Sequence, residues 1–191
     1  MGLLDKILAN SADENRRSAA AKVELEAAFA CDRELIISAP DSLTELKGAV
    51  DITDPGSVAA YWLYSVMALT VDFETGMDML RYLYADIVPF GAGYIEGGGT
   101  GKAGWDSYFN ERLKDKDYSW LPRAYFKGAV AANGYTPDVP LGVKLRYNQT
   151  NTEVINKQSE SLGRTNVVYW ITSHAAGNQV NITLSRFNGS D

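Results

Sequence analysis

The chain has one cysteine and one histidine. A lone thiol closes no intramolecular disulfide, so Cys31 points to a reducing compartment and a fold held without cross-links. A lone imidazole, His174, removes the usual zinc sites and most histidine-based acid–base schemes. Basic residues are in the minority, 18 against 24 acidic, for a net charge of −6. That balance disfavours binding to a phosphate backbone, and no lysine or arginine cluster offsets it, so nucleic acid is not an expected partner. No apolar run approaches the ~20 residues that cross a bilayer. MGLLDKILAN is too short and too charged for a secretion signal, and Lys6 stands where a myristoylation site needs Ser or Thr. The sequons at Asn148, Asn181 and Asn188 are then coincidental. The expectation is a cytoplasmic protein with no membrane partner, no metal and no cofactor.

What is present is enough for a core: 191 residues, 46% of them apolar. The first 48 residues read as an N-terminal helical segment. Ser11 and Glu14 have capping-box spacing before an alanine-rich run to Ala30, in which Ala20, Val23, Ala27 and Ala30 recur at helical period. Glu34–Ser38 is a candidate short strand and Ser42–Lys47 a short helix. Residues 49–191 read as an α+β domain, with helices over 55–114, a connector over 118–140 and an antiparallel β-sheet over 141–187. Asp54-Pro55-Gly56-Ser57 is a helix start, with either Asp54 or Ser57 as cap. The helix that follows is apolar on nearly every side, which places it in the interior. A helix from about Thr75 to Ala85 makes an αα-hairpin with it, and Trp105–Lys114 makes another helix. Beyond the connector the period changes to two. Val143, Leu145 and Tyr147 alternate with Lys144 and Arg146, and Val180, Ile182 and Leu184 with Asn181, Thr183 and Ser185. Val167–Thr172 is apolar on both faces, as a central strand is. The loop His174–Asn178, turned at Gly177-Asn178, joins these last two strands. N-terminal helices packed against a C-terminal antiparallel sheet make the fold class α+β.

The motifs that resemble catalytic devices each lack a needed part. IEGGGTGKAGW, residues 95–105, has Glu96 where a phosphate-cradling loop needs glycine and Ala103 where it needs a magnesium-binding hydroxyl. Ser173 and His174 are neighbours in sequence, which is not the spatial convergence that a nucleophile and its base require. Cys31 ends an alanine-rich helix with no activating group in view. Asp72, Glu74, Asp78 and Asp86 surround a short helix as solvated carboxylates do, and no acid pair is singled out.

The connector is different. Trp105, Tyr108, Phe109, Tyr118, Trp120, Tyr125, Phe126 and Tyr135 cluster in and before it, and two readings follow. They brace helices against sheet, with Pro122 and Pro137 stiffening the chain, or they line a groove for a peptide, sugar or other ligand. The brace is the favoured reading. Trp120, Arg123, Tyr125, Lys127 and Tyr135 are the candidate binding residues, with Arg123 and Lys127 as polar anchors.

The same stretch carries a resemblance. Tyr118-x-x-x-Pro122-Arg123-Ala124-Tyr125-Phe126-Lys127-Gly128-Ala129, followed by Asn133-Gly134-Tyr135-Thr136-Pro137 and Pro140, resembles a bacterial family known as domain of unknown function 6935. Its block reads Ser-Tyr-Phe-x-Gly-Ala, then Asn-x-Tyr-Thr-Pro, and Ala124 stands here in place of the serine. Phe73–Leu83 is similar to the family's helix that begins near Glu-x-Gly, and Phe109-x-x-Arg112-Leu113 to its helix before the block. The resemblance covers about Asp51 to Arg186. The glycine-rich stretch 97–104 is longer than the family pattern. Phe187-Asn188-Gly189-Ser190 signals a turn into a returning strand, so the chain is expected to be cut short there. The resemblance implies a fold and no catalytic residue.

For function, the favoured expectation is a non-enzymatic binding or interaction module for an unidentified protein or small-molecule partner. The alternative is a hydrolase-like enzyme whose carboxylates, with Arg112 or Tyr125, converge only in the fold.

Overall fold

The computed structural model describes residues 32–84, 91–92, 119–175 and 179–187. The elements in chain order are β1 (Arg33–Ile37), α1 (Leu43–Ala49), α2 (Pro55–Ala68), α3 (Phe73–Tyr84), β2 (Gly91–Ala92), β3 (Leu141–Tyr147), α4 (Gln149–Ser159), β4 (Arg164–Thr172) and β5 (Gln179–Phe187). The strands form one sheet in the order β1-β3-β4-β5-β2, and every pairing is antiparallel. The α+β class expected from the sequence is the one observed, with β4 at the centre. Expectations over 1–31, the glycine-rich loop, the 105–114 helix, the Gly177-Asn178 turn and the final turn lie outside the described residues.

Each helix start has a chemical reason. Ser42 accepts from the Glu45 N–H at the head of α1. Asp54, not Ser57, caps α2: its Oδ1 accepts from the Gly56 N–H at 2.9 Å, with Pro55 in the first turn where its missing N–H costs nothing. The same carboxylate takes a bidentate pair from Arg33 of β1 at 2.7 Å on each oxygen, and so ties the sheet edge to the helix. A Cβ on Gly56 would stand 2.8 Å from Arg33 Nη1, so the glycine makes room for that pair. Asp72 accepts from both the N–H and the hydroxyl of Thr75 in the first turn of α3.

Along α2, Pro55, Gly56 and every residue from Val58 to Val66 are buried, as expected of an apolar interior helix. It touches every strand of the sheet and packs on α3. Gly76 lets the α2–α3 link run close, because a Cβ there would lie 2.6 Å from the Leu69 backbone nitrogen. Met77, Met79, Leu80 and Leu83 form the buried side of α3. Val143, Leu145, Val168, Tyr169, Ile171, Ile182 and Leu184 are among the buried strand positions.

The compact unit that holds the sheet begins at Asp32, and β1 and α1 group with the sheet. The reason is pairing: β1 lies antiparallel to β3 from Arg33↔Leu145 to Ile37↔Leu141. The stretch 141–187 is not all sheet, because α4 interrupts it. Helix α4 has little apolar periodicity to announce it. Asn148 caps it by accepting from the Asn151 N–H, and polar side chains then hold it against β4.

That attachment replaces a strand. β3 pairs with β4 only over Leu145–Tyr147, opposite Ile171–Tyr169. Beyond this, the Asn148 N–H donates to Val168 O at 2.9 Å, and the chain turns into α4. Thr152 Oγ1 then accepts from the Val168 N–H at 3.0 Å. Asn156 Oδ1 accepts from the Asn166 N–H, and Asn156 Nδ2 donates to Asn166 O at 3.1 Å. Four helical residues rise about 6 Å and two strand residues about 6.7 Å, so Thr152 and Asn156 meet alternate strand positions. The buried Asn166 side chain completes the cluster: its Nδ2 donates to Asn156 Oδ1, and its Oδ1 accepts from Ser185 on β5.

Candidate functional site

The connector begins with a helical turn. Trp120 O and Leu121 O both accept from the Ala124 N–H at 3.2 Å, and Pro122 O accepts from Tyr125 N–H at 3.3 Å. The turn ends in a 3-10 stretch, Arg123–Tyr125, after which Phe126 bridges to Val143. Lys127 continues the contact: its N–H donates to Gly142 O at 2.9 Å, while its carbonyl accepts from the Asp138 N–H at 2.8 Å. The inner half of the connector is therefore part of the core, with Ala124, Tyr125, Phe126 and Ala129 buried. The loop after β4 docks there too. Ser173 Oγ and the His174 N–H both donate to Ala124 O, at 3.0 and 2.9 Å. Ser173 is thus a buried structural hydroxyl, and His174 is exposed.

The outer half, from Val130 to Pro140, is centred on the Asn133 side chain. Asn133 Oδ1 accepts from the N–H groups of Val130 (3.0 Å) and Thr136 (3.2 Å), and its Nδ2 donates to Gly128 O (2.8 Å) and Thr136 O (3.0 Å). The Thr136 hydroxyl returns a bond to Asn133 O at 2.9 Å. With both acceptor sites and both donors used, Asn133 fixes a loop that crosses the left-handed region twice, at Gly134 (φ 63°) and Tyr135 (φ 58°). Gly128 crosses it as well, at φ 80°, and a Cβ there would collide with the Asp138 carboxylate. These are the glycine, asparagine and threonine of the Phe-x-Gly-Ala and Asn-x-Tyr-Thr-Pro pattern, and the hydrogen bonds explain why the pattern uses those residue types.

The five candidate binding residues fall in different places. Trp120 and Tyr135 come together: their rings stack with centroids 4.5 Å apart and planes 22° from parallel, each residue partly exposed. Tyr125 is buried, and burial raises its phenol pKa above the ordinary value. Lys127 is exposed and reaches Glu34 on β1 at 3.1 Å. Arg123 is half-buried, and its Nε is enclosed with no hydrogen-bond partner. In the same connector, Leu121 and Val130 are each 40% exposed and Val139 is 89% exposed. Sequence reasoning did not name these three aliphatic residues, and an isolated leucine or valine gives no such signal until the turns around it are known.

Among the described residues, no group of three or more His, Cys, Asp or Glu side chains is placed to hold a metal ion. Two of the carboxylates around α3 are occupied locally, Asp72 by Thr75 and Asp78 by Arg81 at 2.9 Å. Asp86 and Arg112 lie outside the described residues. No helix among the described residues is long and apolar enough to cross a membrane.

Comparison with known proteins is consistent with the motif. A family model described as "Domain of unknown function (DUF6935)" matches residues 38–191, well over half of the chain, so the chain belongs to that family. No curated protein and no solved structure matches it.

Proposed function

We propose that this member of the domain of unknown function 6935 family is a non-enzymatic binding or interaction module, and that the outer face of its connector is the recognition surface. One observation carries the reading. Tyr135 is a non-glycine residue held at φ 58°, and in that conformation its ring lies on Trp120 at the surface. A bulky residue in the left-handed region costs of order 1 kcal/mol, and such strain persists where surrounding bonds impose it and where what it displays has a use. Here Asn133 ties the chain on either side of Tyr135, and the same connector leaves Leu121, Val130 and Val139 exposed. Rigid aromatics beside exposed aliphatic side chains suit recognition, because little side-chain entropy remains to be lost on binding.

The test is capture from lysate of the source cell on the immobilised full chain, with Trp120→Ala and Val139→Ser run in parallel. A partner or ligand retained by the wild type and lost by both variants, at unchanged unfolding midpoints, supports the proposal. Retention by all three chains moves recognition elsewhere and overturns it.

A further inference from the structure

Among the described residues, Arg33, Arg81, Lys127 and Arg146 each face a carboxylate within 4 Å. Among the same residues Arg123 faces no such carboxylate, and its Nε is buried without a hydrogen-bond partner. A guanidinium that has lost hydration on one edge and gained no counter-charge attracts an anion at its remaining nitrogens more strongly than a fully hydrated one, because the local dielectric is lower. Its planar fork matches a carboxylate in two parallel hydrogen bonds.

The surroundings narrow the ligand further. Residues three apart on the helical turn 120–125 lie on the same side, so Arg123 stands on the side of Trp120, whose ring stacks on Tyr135. The nearest cation in the chain segment, Lys127, is already engaged by Glu34. A chain of net charge −6 also has no general attraction for anions, so selection has to come from local groups. We propose that Arg123 and the Trp120–Tyr135 stack form a subsite for a carboxylate borne on a planar, apolar group. The carboxylate takes the guanidinium and the apolar body lies along the partly exposed rings. This subsite rests on the reading of the connector as a recognition surface and gives that surface a ligand class.

The experiment follows the Arg123 Nε–H and Trp120 indole N–H resonances of the full chain while benzoate is added. Benzyl alcohol supplies the same ring without charge, and inorganic phosphate supplies charge without the ring. Benzoate is expected to shift both resonances saturably. Its Kd should weaken about tenfold or more in Arg123→Gln, with Arg123→Lys, a point charge without the fork, also weakened. Arg123→Lys carries the comparison if the glutamine variant does not fold. Equal benzoate binding by the variants, benzyl alcohol or phosphate binding as tightly as benzoate, or no saturable shift would each overturn the subsite. If benzoate fails while Val139→Ser still abolishes capture of a partner, the subsite falls and the recognition surface stands.

Discussion

The α4–β4 junction and the outer connector solve the same problem in opposite settings. In both, backbone groups that no strand or helix serves are satisfied by asparagine and threonine side chains. At the junction, Thr152 and Asn156 serve Val168 and Asn166 inside the protein, where Thr152, Asn166 and Val168 are all buried. In the connector, Asn133 serves Gly128, Val130 and Thr136 on an exposed loop. Bond counts are similar, yet the energies differ, because a bond removed at the surface is replaced by water and one removed in the interior is not. The junction is therefore a stability device and the connector a shape device.

The largest effect is expected from Asn156→Ala. It orphans the N–H and C=O of the buried Asn166 and strips one partner from its side chain, for a loss of about 3 kcal/mol seen as a lowered urea midpoint. Thr152→Val keeps the shape and removes only the acceptor for the Val168 N–H, so about 1.5 kcal/mol is expected by the same measurement. Asn133→Ala should cost about 1 kcal/mol or less, while amide exchange at Val130 and Thr136 accelerates, a local loosening without global collapse. A cost at Asn133 as large as that at Asn156 would erase the distinction between the two regions.

The last prediction concerns pH. Burial raises the phenol pKa of Tyr125 in the connector and of Tyr64 in α2, the latter also through Asp41 and Glu45. The folded chain then keeps protons that the unfolded chain releases. Stability is undiminished below the ordinary tyrosine value of about 10 and falls as pH rises from there toward the raised values. Tyr125→Phe and Tyr64→Phe should each make that alkaline decline shallower while leaving Asn133→Ala unaffected in slope. Urea midpoints measured at pH 9 and pH 11 would show it.

Much of the fold was legible because it rests on patterns with a period. The buried helix after Asp54, the amphipathic α3, the alternation in β3 and β5 and the apolar β4 all announce themselves through spacing. Helix α4 did not, since its attachment is polar and depends on a strand edge that exists only after β3 and β4 pair. The membership of β1 in the sheet was equally hidden: five residues with apolar character at Leu35–Ile37 fit a strand, but nothing local says that β3, more than a hundred residues on, is the partner. At the candidate site, the Asn-x-Tyr-Thr-Pro block marked the stretch that Asn133 and Thr136 order. It did not reveal that Lys127 is spoken for by Glu34, or that Trp120 and Tyr135 meet. The Trp120–Tyr135 contact involves left-handed backbone at Gly134 and Tyr135, and a sequence shows such a turn only through its glycine.

The polar face of α4 has one more consequence. A strand whose neighbour ends early leaves a row of unused hydrogen-bonding groups, and such a row invites the strand of another molecule. From Asn166 to Val168, β4 would be such a row, in the most apolar strand of the sheet. Thr152 and Asn156 occupy it with groups that match only this register. A slip of β4 by one residue would face them with the other edge of the backbone. The helix thus serves as a plug against misassembly. Substitutions that loosen it should be seen first as self-association of the folded chain and only afterwards as unfolding.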